Sequence, residues 1–336
     1  MKKLVINLFT AYALLSISYF QVKAQNTQIR GFVDANASYQ KDKLSFGFGE
    51  QDLFITSSLN DRLSFLGETV FKYDHSAHTE FSISVERVII KYNYKGNHNF
   101  ILGKVHTPLN YWNDTYHHGR VFFPTIERPA MFNSNIIPLH STGVGFQGYN
   151  LSDLKFGYDV FLSNGLASEE IADFDKNKAV TIATHIKPVD NLRIGASLYM
   201  DKMSKGSDVH GLPVNYDIQQ NLLSGSVSYF GPKYEFLAEG TLGFNHTDTA
   251  ATATSRASYV YAGLKVKEKI VPYLRYDFLY FQPNELYFTR NNLSSIVFGI
   301  RYQINYLAVV KLEYKNQKDQ LTGTTNRLTT QFAIGF

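Results

Sequence analysis

The segment from Thr325 to Phe336 alternates without a break. Leu328, Thr330, Phe332, Ile334 and Phe336 share one parity; Arg327, Thr329, Gln331, Ala333 and Gly335 share the other. A side-chain period of two marks a strand whose two faces meet different surroundings. The same period recurs in sixteen segments: 28–40, 43–58, 61–73, 79–95, 98–106, 141–150, 153–164, 177–187, 190–202, 215–230, 232–246, 254–268, 270–282, 291–303, 306–317 and 325–336. Most exceed the roughly 9–11 residues that a tilted strand needs to cross a bilayer. An even number allows antiparallel closure with both termini on one side.

The chain is therefore read as all-β, a transmembrane antiparallel β-barrel of about 16 strands. No stretch beyond residue 24 has the roughly 18 consecutive apolar residues of a membrane-spanning helix. The connections support the count. Alternate ones are tight, at 59–60, 96–97, 151–152, 188–189, 231, 269 and 304–305, and several carry Gly, Pro, Asn or Asp. The other set lies at 41–42, 74–78, 107–140, 165–176, 203–214, 247–253, 283–290 and 318–324, with only the first expected to be short. Two segments slip phase by one residue, near Gly47–Gly49 and at Arg87-Val88, which predicts a β-bulge at each.

In water the apolar face would be a core. In a membrane barrel it faces lipid, and the opposite face lines the lumen. Outward positions then include Val33, Ala35, Tyr39, Phe71, Tyr73, Ile194, Leu198, Tyr276, Phe278, Tyr280, Phe298, Ile300, Tyr302, Leu312 and Tyr314. The lumen wall would carry Arg30, Asp34, Glu50, Asp52, Glu68, Lys72, Glu86, Lys91, Lys104, Glu235, Glu239, Lys265, Arg275, Asp277, Arg301, Lys311, Glu313 and Arg327. A Lys or Arg at the lipid midplane would cost about 2–4 kcal/mol. Most of these charges are expected to be solvated or paired across strands, and the rest to form an electrostatic screen. Nine bases face nine acids, so the list favours neither ion sign.

At the N-terminus, Met1-Lys2-Lys3, the apolar stretch 4–20 and Val22-Lys23-Ala24 read as a secretory signal peptide cut after Ala24. A transmembrane anchor fits less well, because no charged stop-transfer flank follows. Removal of Lys2, Lys3 and Lys23 with the leader takes the formal charge from +4 to +1. A near-neutral chain argues against nucleic acid as a partner. There is no Cys, so neither a disulfide framework nor a thiolate ligand or nucleophile. No cofactor is expected. Residues 25–336 read as one barrel domain, and three or four residues before the first segment leave no length for an N-terminal plug.

The terminal strand, ending on Phe336, resembles the closing strands of bacterial outer-membrane barrels. Strand count, loop order and leader resemble the general porins over the whole mature length. The stretches 103–108 and 127–129 look like porin-like proteins of the Bacteroidota. The resemblance implies an outer-membrane location in a Gram-negative bacterium, a homotrimer, and delivery to the barrel-assembly machinery through Phe336. It also implies that the third extracellular loop, 107–140, folds into the lumen. That loop has Trp112, aromatic residues from Tyr111 to Phe123, and Pro at 108, 124, 129 and 138. Disordered linkers avoid aromatics, so it should be packed.

The candidates for the pore constriction are Lys104, His106, Asp114, His117, His118, Arg120, Glu127 and Arg128, with His140 at the far flank. His117 and His118 could meet a metal, but neighbours on an extended chain point apart, and no metal is expected. Arg120 and Arg128 read equally as loop anchors and as solute contacts. The expected function is a passive channel for small hydrophilic solutes, with outer-membrane lipid around it. One alternative is a transporter for a specific, hydrophobic or anionic, substrate. A barrel enzyme of the lipase type is less favoured: His185 adjoins Thr184, but no Gly-x-Ser-x-Gly is present.

Overall fold

Alternating segments of this length become a ladder because each strand's N–H and C=O groups need partners that lipid cannot supply. In the computed structural model, residues 26–73, 81–116, 119–166, 173–209, 212–248, 250–285, 287–288 and 291–336 are described. The expected leader, the start of the fourth segment, and His117 and His118 lie outside them. The strands are β1 (Asn26–Gln40), β2 (Lys43–Ser58), β3 (Leu63–Tyr73), β4 (Phe81–Lys95), β5 (His98–His106), β6 (His140–Leu151), β7 (Phe156–Ser163), β8 (Ala179–Ile186) and β9 (Leu192–Met203). They continue as β10 (Asp208–Val209), β11 (Leu212–Pro213), β12 (Ile218–Phe230), β13 (Tyr234–Thr247), β14 (Ala250–Leu264), β15 (Ile270–Phe281), β16 (Leu293–Asn305), β17 (Ala308–Asp319) and β18 (Gly323–Gly335). All but the small β10–β11 ribbon close one barrel of sixteen strands.

Every neighbouring pair is antiparallel, and β1 meets β18 from Phe32↔Gly335 to Tyr39↔Leu328. Beyond that register, Gly31 and Phe336 exchange both backbone hydrogen bonds at 2.9 Å, so the last residue completes the seam. The start of β1 and the C-terminus thus lie at the short-turn end. At the other end three connections are tight, 41–42, 248–249 and 320–322, where the sequence led us to expect one. Lys41 and Asp42 both have left-handed φ, 51° and 59°, the geometry that matches a two-residue hairpin to strand twist.

Both bulges are present. In β4, Glu68 pairs with Arg87 and Thr69 with Val85, leaving Glu86 as the extra residue, one place before the expected slip. In β2, Val33 pairs with Gln51 and Ala35 with Phe48, so Gly49 and Glu50 together oppose Asp34. Outside the wall, Ile194, Tyr276, Phe298, Ile300, Tyr302, Leu312 and Tyr314 are exposed, forming the apolar belt. Inside, the two halves of the barrel differ. In β15 every inward residue from Val271 to Phe281 is buried. In β4 the inward residues after the bulge are only half-buried. One arc of the lumen is filled and the other is open.

Candidate functional site

The filling is the 107–139 connection. Its neck is tied by Thr107 N–H donating to the Leu139 carbonyl at 3.0 Å. The Asn113 amide reaches the carbonyls of Thr107 and Leu139 at 2.9 and 3.0 Å. Asn110, at φ 70°, turns the chain inward to the short helix α1 (Tyr111–Tyr116). Buried backbone groups need partners, and here wall side chains provide them. Glu239 of β13 accepts from the N–H groups of Tyr111 and Trp112, the latter at 3.0 Å. Asp52 accepts from Gly119, Glu313 from Ile126 and Asp277 from Ala130, at 3.3, 2.6 and 3.2 Å. Wall cations take the carbonyls: Lys311 those of Arg120 and Thr125, Arg301 that of Pro124, and Arg275 that of Glu127.

Of the expectation that most wall charges are solvated or paired across strands, the solvated part fails here, because the loop covers them. Pairs such as Lys72 with Glu50 and Arg301 with Glu235 are present. Asp52, Glu68, Glu235, Glu239, Arg275, Asp277, Lys311 and Glu313 are buried. Apolar packing accompanies the polar anchoring. Trp112, Phe123, Met131, Phe132, Ile136 and Ile137 form one cluster with Tyr199, Leu222, Leu237, Tyr259 and Tyr261 of the wall. Trp112 meets Phe123 and Tyr259 edge to face, with centroids 5.3 and 5.9 Å apart. Such pairs contribute about 0.5–1.5 kcal/mol beyond their buried area.

The constriction candidates fall into separate places. Arg120 pairs with Glu50 of β2 at 3.1 Å and lies 5.3 Å over the Phe123 ring, so it is a loop anchor. Lys72 shares the same Glu50 at 3.0 Å. Glu127 lies between Lys315, at 3.1 Å, and Arg327. Burial alone would raise its pKa, but those two cations hold it down at about 2. Arg128 is half-buried in the field of Glu50, Glu86 and Asp52. The buried Lys104 donates to the Val85 carbonyl of β4. His106 and His140 face each other at the loop neck with rings 5.6 Å apart. His106 is 3.8 Å from Glu68, and His140 is 2.7 Å from Glu86. Among the described residues no group of three or more His, Cys, Asp or Glu could hold a metal ion. Asp34 is held by Gln331 at 2.8 Å and by the Glu50 N–H at 3.0 Å, and Arg30 donates to Gln28 at 2.9 Å.

Of the constriction candidates, Asp114 is the one that borders every cavity of the open arc. Its side chain is 46% exposed and lies 3.7 Å from Arg193 of β9. Three cavities of about 430, 650 and 320 Å³ share Asp114 in their walls and together follow β1–β9 beside the loop. Our reading of the sequence missed Arg87, Asp159, Lys187 and Arg193 on this passage. The signal was there: Arg193 takes the parity opposite Ile194, and Asp159 the parity opposite Val160.

No protein-family model matches the chain, and no curated protein is similar to it in sequence. Solved structures are similar in shape. An anion-selective porin from Comamonas acidovorans superposes with a TM-score of 0.68 at 11% identity, covering 93% of this chain and 100% of that one. Salmonella typhi OmpF, solved with daunomycin, gives 0.66 at 13% identity, covering 92% of this chain and 97% of that one. The fold is that of the outer-membrane porins. The trimer form of OmpT, an outer membrane protein of Vibrio cholerae, gives 0.64 at 15% identity, covering 94% of this chain and 100% of that one. Within this porin fold, the third connection at the long-loop end, 107–139, runs into the lumen.

Proposed function

We propose that the protein is a passive diffusion channel for small hydrophilic solutes in the outer membrane of a Gram-negative bacterium, without enzymatic activity. The observation that carries this is the open passage along β1–β9, bordered by polar and charged side chains and narrowed by a loop anchored from both sides of the wall. A barrel of about sixteen strands leaves an aqueous lumen unless something fills it. Residues 107–140 act as the constriction, and Asp114 is the loop side chain that solutes meet. His185, the residue an enzyme reading would use, has its Nδ1 3.2 Å from an Arg193 nitrogen. The leader delivers the chain, Phe336 addresses it to the assembly machinery, and three copies associate as in the Vibrio cholerae trimer.

The test is conductance in planar bilayers. Purified protein should open water-filled channels, and deletion of 112–130 should raise single-channel conductance. No conductance from any preparation overturns the channel reading; equal conductance from the deletion overturns the constriction. Liposome swelling with sugars and amino acids of rising size then sets the solute limit.

A further inference from the structure

Nine acids and nine bases on the wall balance along the sequence, and the loop takes up charges of both signs. Five carboxylates, those of Glu50, Asp52, Glu239, Asp277 and Glu313, accept from loop N–H groups or from Arg120, and so leave the aqueous space. Glu235 is closed off by Arg301, bound through both of its oxygens. Arg275, Arg301 and Lys311 are likewise spent on loop carbonyls, so the filled arc removes charges of both signs from the path of a solute.

The passage keeps a different set. Its bases are Arg30, Arg87, Lys91, Lys187 and Arg193, and its acids Glu68, Asp114 and Asp159. Arg87 is bound to Glu68, and Arg193 faces Asp114 at 3.7 Å. Arg30, Lys91 and Lys187 face no acid at ion-pair distance among the described residues. Asp159 is the one remaining carboxylate, and it accepts from Gln147 at 2.9 Å. Three uncompensated cations therefore stand against one anion, distributed over the three cavities rather than gathered at one mouth.

Resting on the channel reading above, we propose that the passage prefers anionic solutes, small carboxylates and phosphates, because the bases that border it outnumber the acids. An unpaired charge about 7 Å from an ion's track in water changes local ion concentration by about threefold. The effect fades with salt, since the Debye length shrinks from about 10 Å at 0.1 M to 3 Å at 1 M.

The experiment is the reversal potential of the full-length protein in planar bilayers under a KCl gradient, repeated with potassium phosphate. The expected result is chloride over potassium permeability above one, larger at 0.1 M than at 1 M salt. Joint substitution Arg30→Gln, Lys91→Gln and Lys187→Gln should lower that ratio at least about threefold. Asp114→Asn should raise it, and Lys267→Gln, at an exposed turn outside the lumen, should leave it unchanged. Potassium preference in the wild type, or an unchanged ratio in the triple variant, overturns this inference while the channel reading stands. Absence of any conductance overturns the channel reading, and this inference with it.

Discussion

Gly103 shows how closely one residue can be bound to the wall. Its φ is 127°, and a Cβ there would lie 1.9 Å from the Val88 carbonyl oxygen of β4. The side chain after it, Lys104, uses the same turn of the backbone to reach the carbonyl of Val85. Gly103→Ala is expected to destabilise the refolded barrel by about 3 kcal/mol or more, from positive-φ strain plus a backbone collision. Urea unfolding in detergent measures it, and an unchanged midpoint would show that the backbone relaxes. A second close approach occurs at Gly31, where a Cβ would be 2.4 Å from the Phe336 ring. That vacancy lets the terminal aromatic lie across β1 beside its own seam.

At the scale of elements, the inward connection is the most strongly specified part of the chain after the strands. Glu127 fastens its middle to β17 and β18. Because its folded pKa is lowered to about 2 from an ordinary value near 4.5, its contribution is present above pH 4.5 and lost as pH falls through about 2. The difference in channel noise between the wild type and a variant lacking this carboxylate should therefore persist from pH 7 to 4 and disappear only near pH 2. Glu127→Gln should produce that noise already at pH 7; quiet channels in this variant would mean the anchor is dispensable. The strands were legible in the sequence because a period of two, once a face is assigned to lipid, fixes both register and bulges. The loop's presence in the lumen was legible from its aromatics. Which arc it covers was not, since parity separates inside from outside but not one inner side from the other. One clue was visible in β15: Tyr273, Leu279 and Phe281 put large apolar groups on the parity of Arg275 and Asp277. A strand apolar on both faces has a neighbour on both. The same blindness hid which charges border the open passage, which depends on where the loop lies and not on the count of acids and bases.

For the molecule as a whole, closure ends on one residue, the one to which the proposed function also gives delivery. The β1–β18 register runs through Phe32↔Gly335 without Phe336, so its removal forfeits the Gly31 pair and the packing of its ring over Gly31 but leaves the ladder in place. Loss of these two hydrogen bonds should lower stability by about 1–3 kcal/mol. If Phe336 is also the address read by the assembly machinery, its deletion should cut the folded amount in outer membranes far more than it lowers refolding stability in detergent. Equal losses in the two measurements would reduce Phe336 to a structural role. The anchored loop has a mechanical consequence as well. A ring of sixteen strands around water resists stretching along its hydrogen bonds but is soft to flattening, because no core opposes a change from round to oval. Here Asp52 and Glu50 hold one end of the loop on β2, while Glu239, Asp277 and Glu313 hold it on β13, β15 and β17. The loop is a cross-brace spanning the bore, and it fixes the cross-section against lateral pressure from the bilayer.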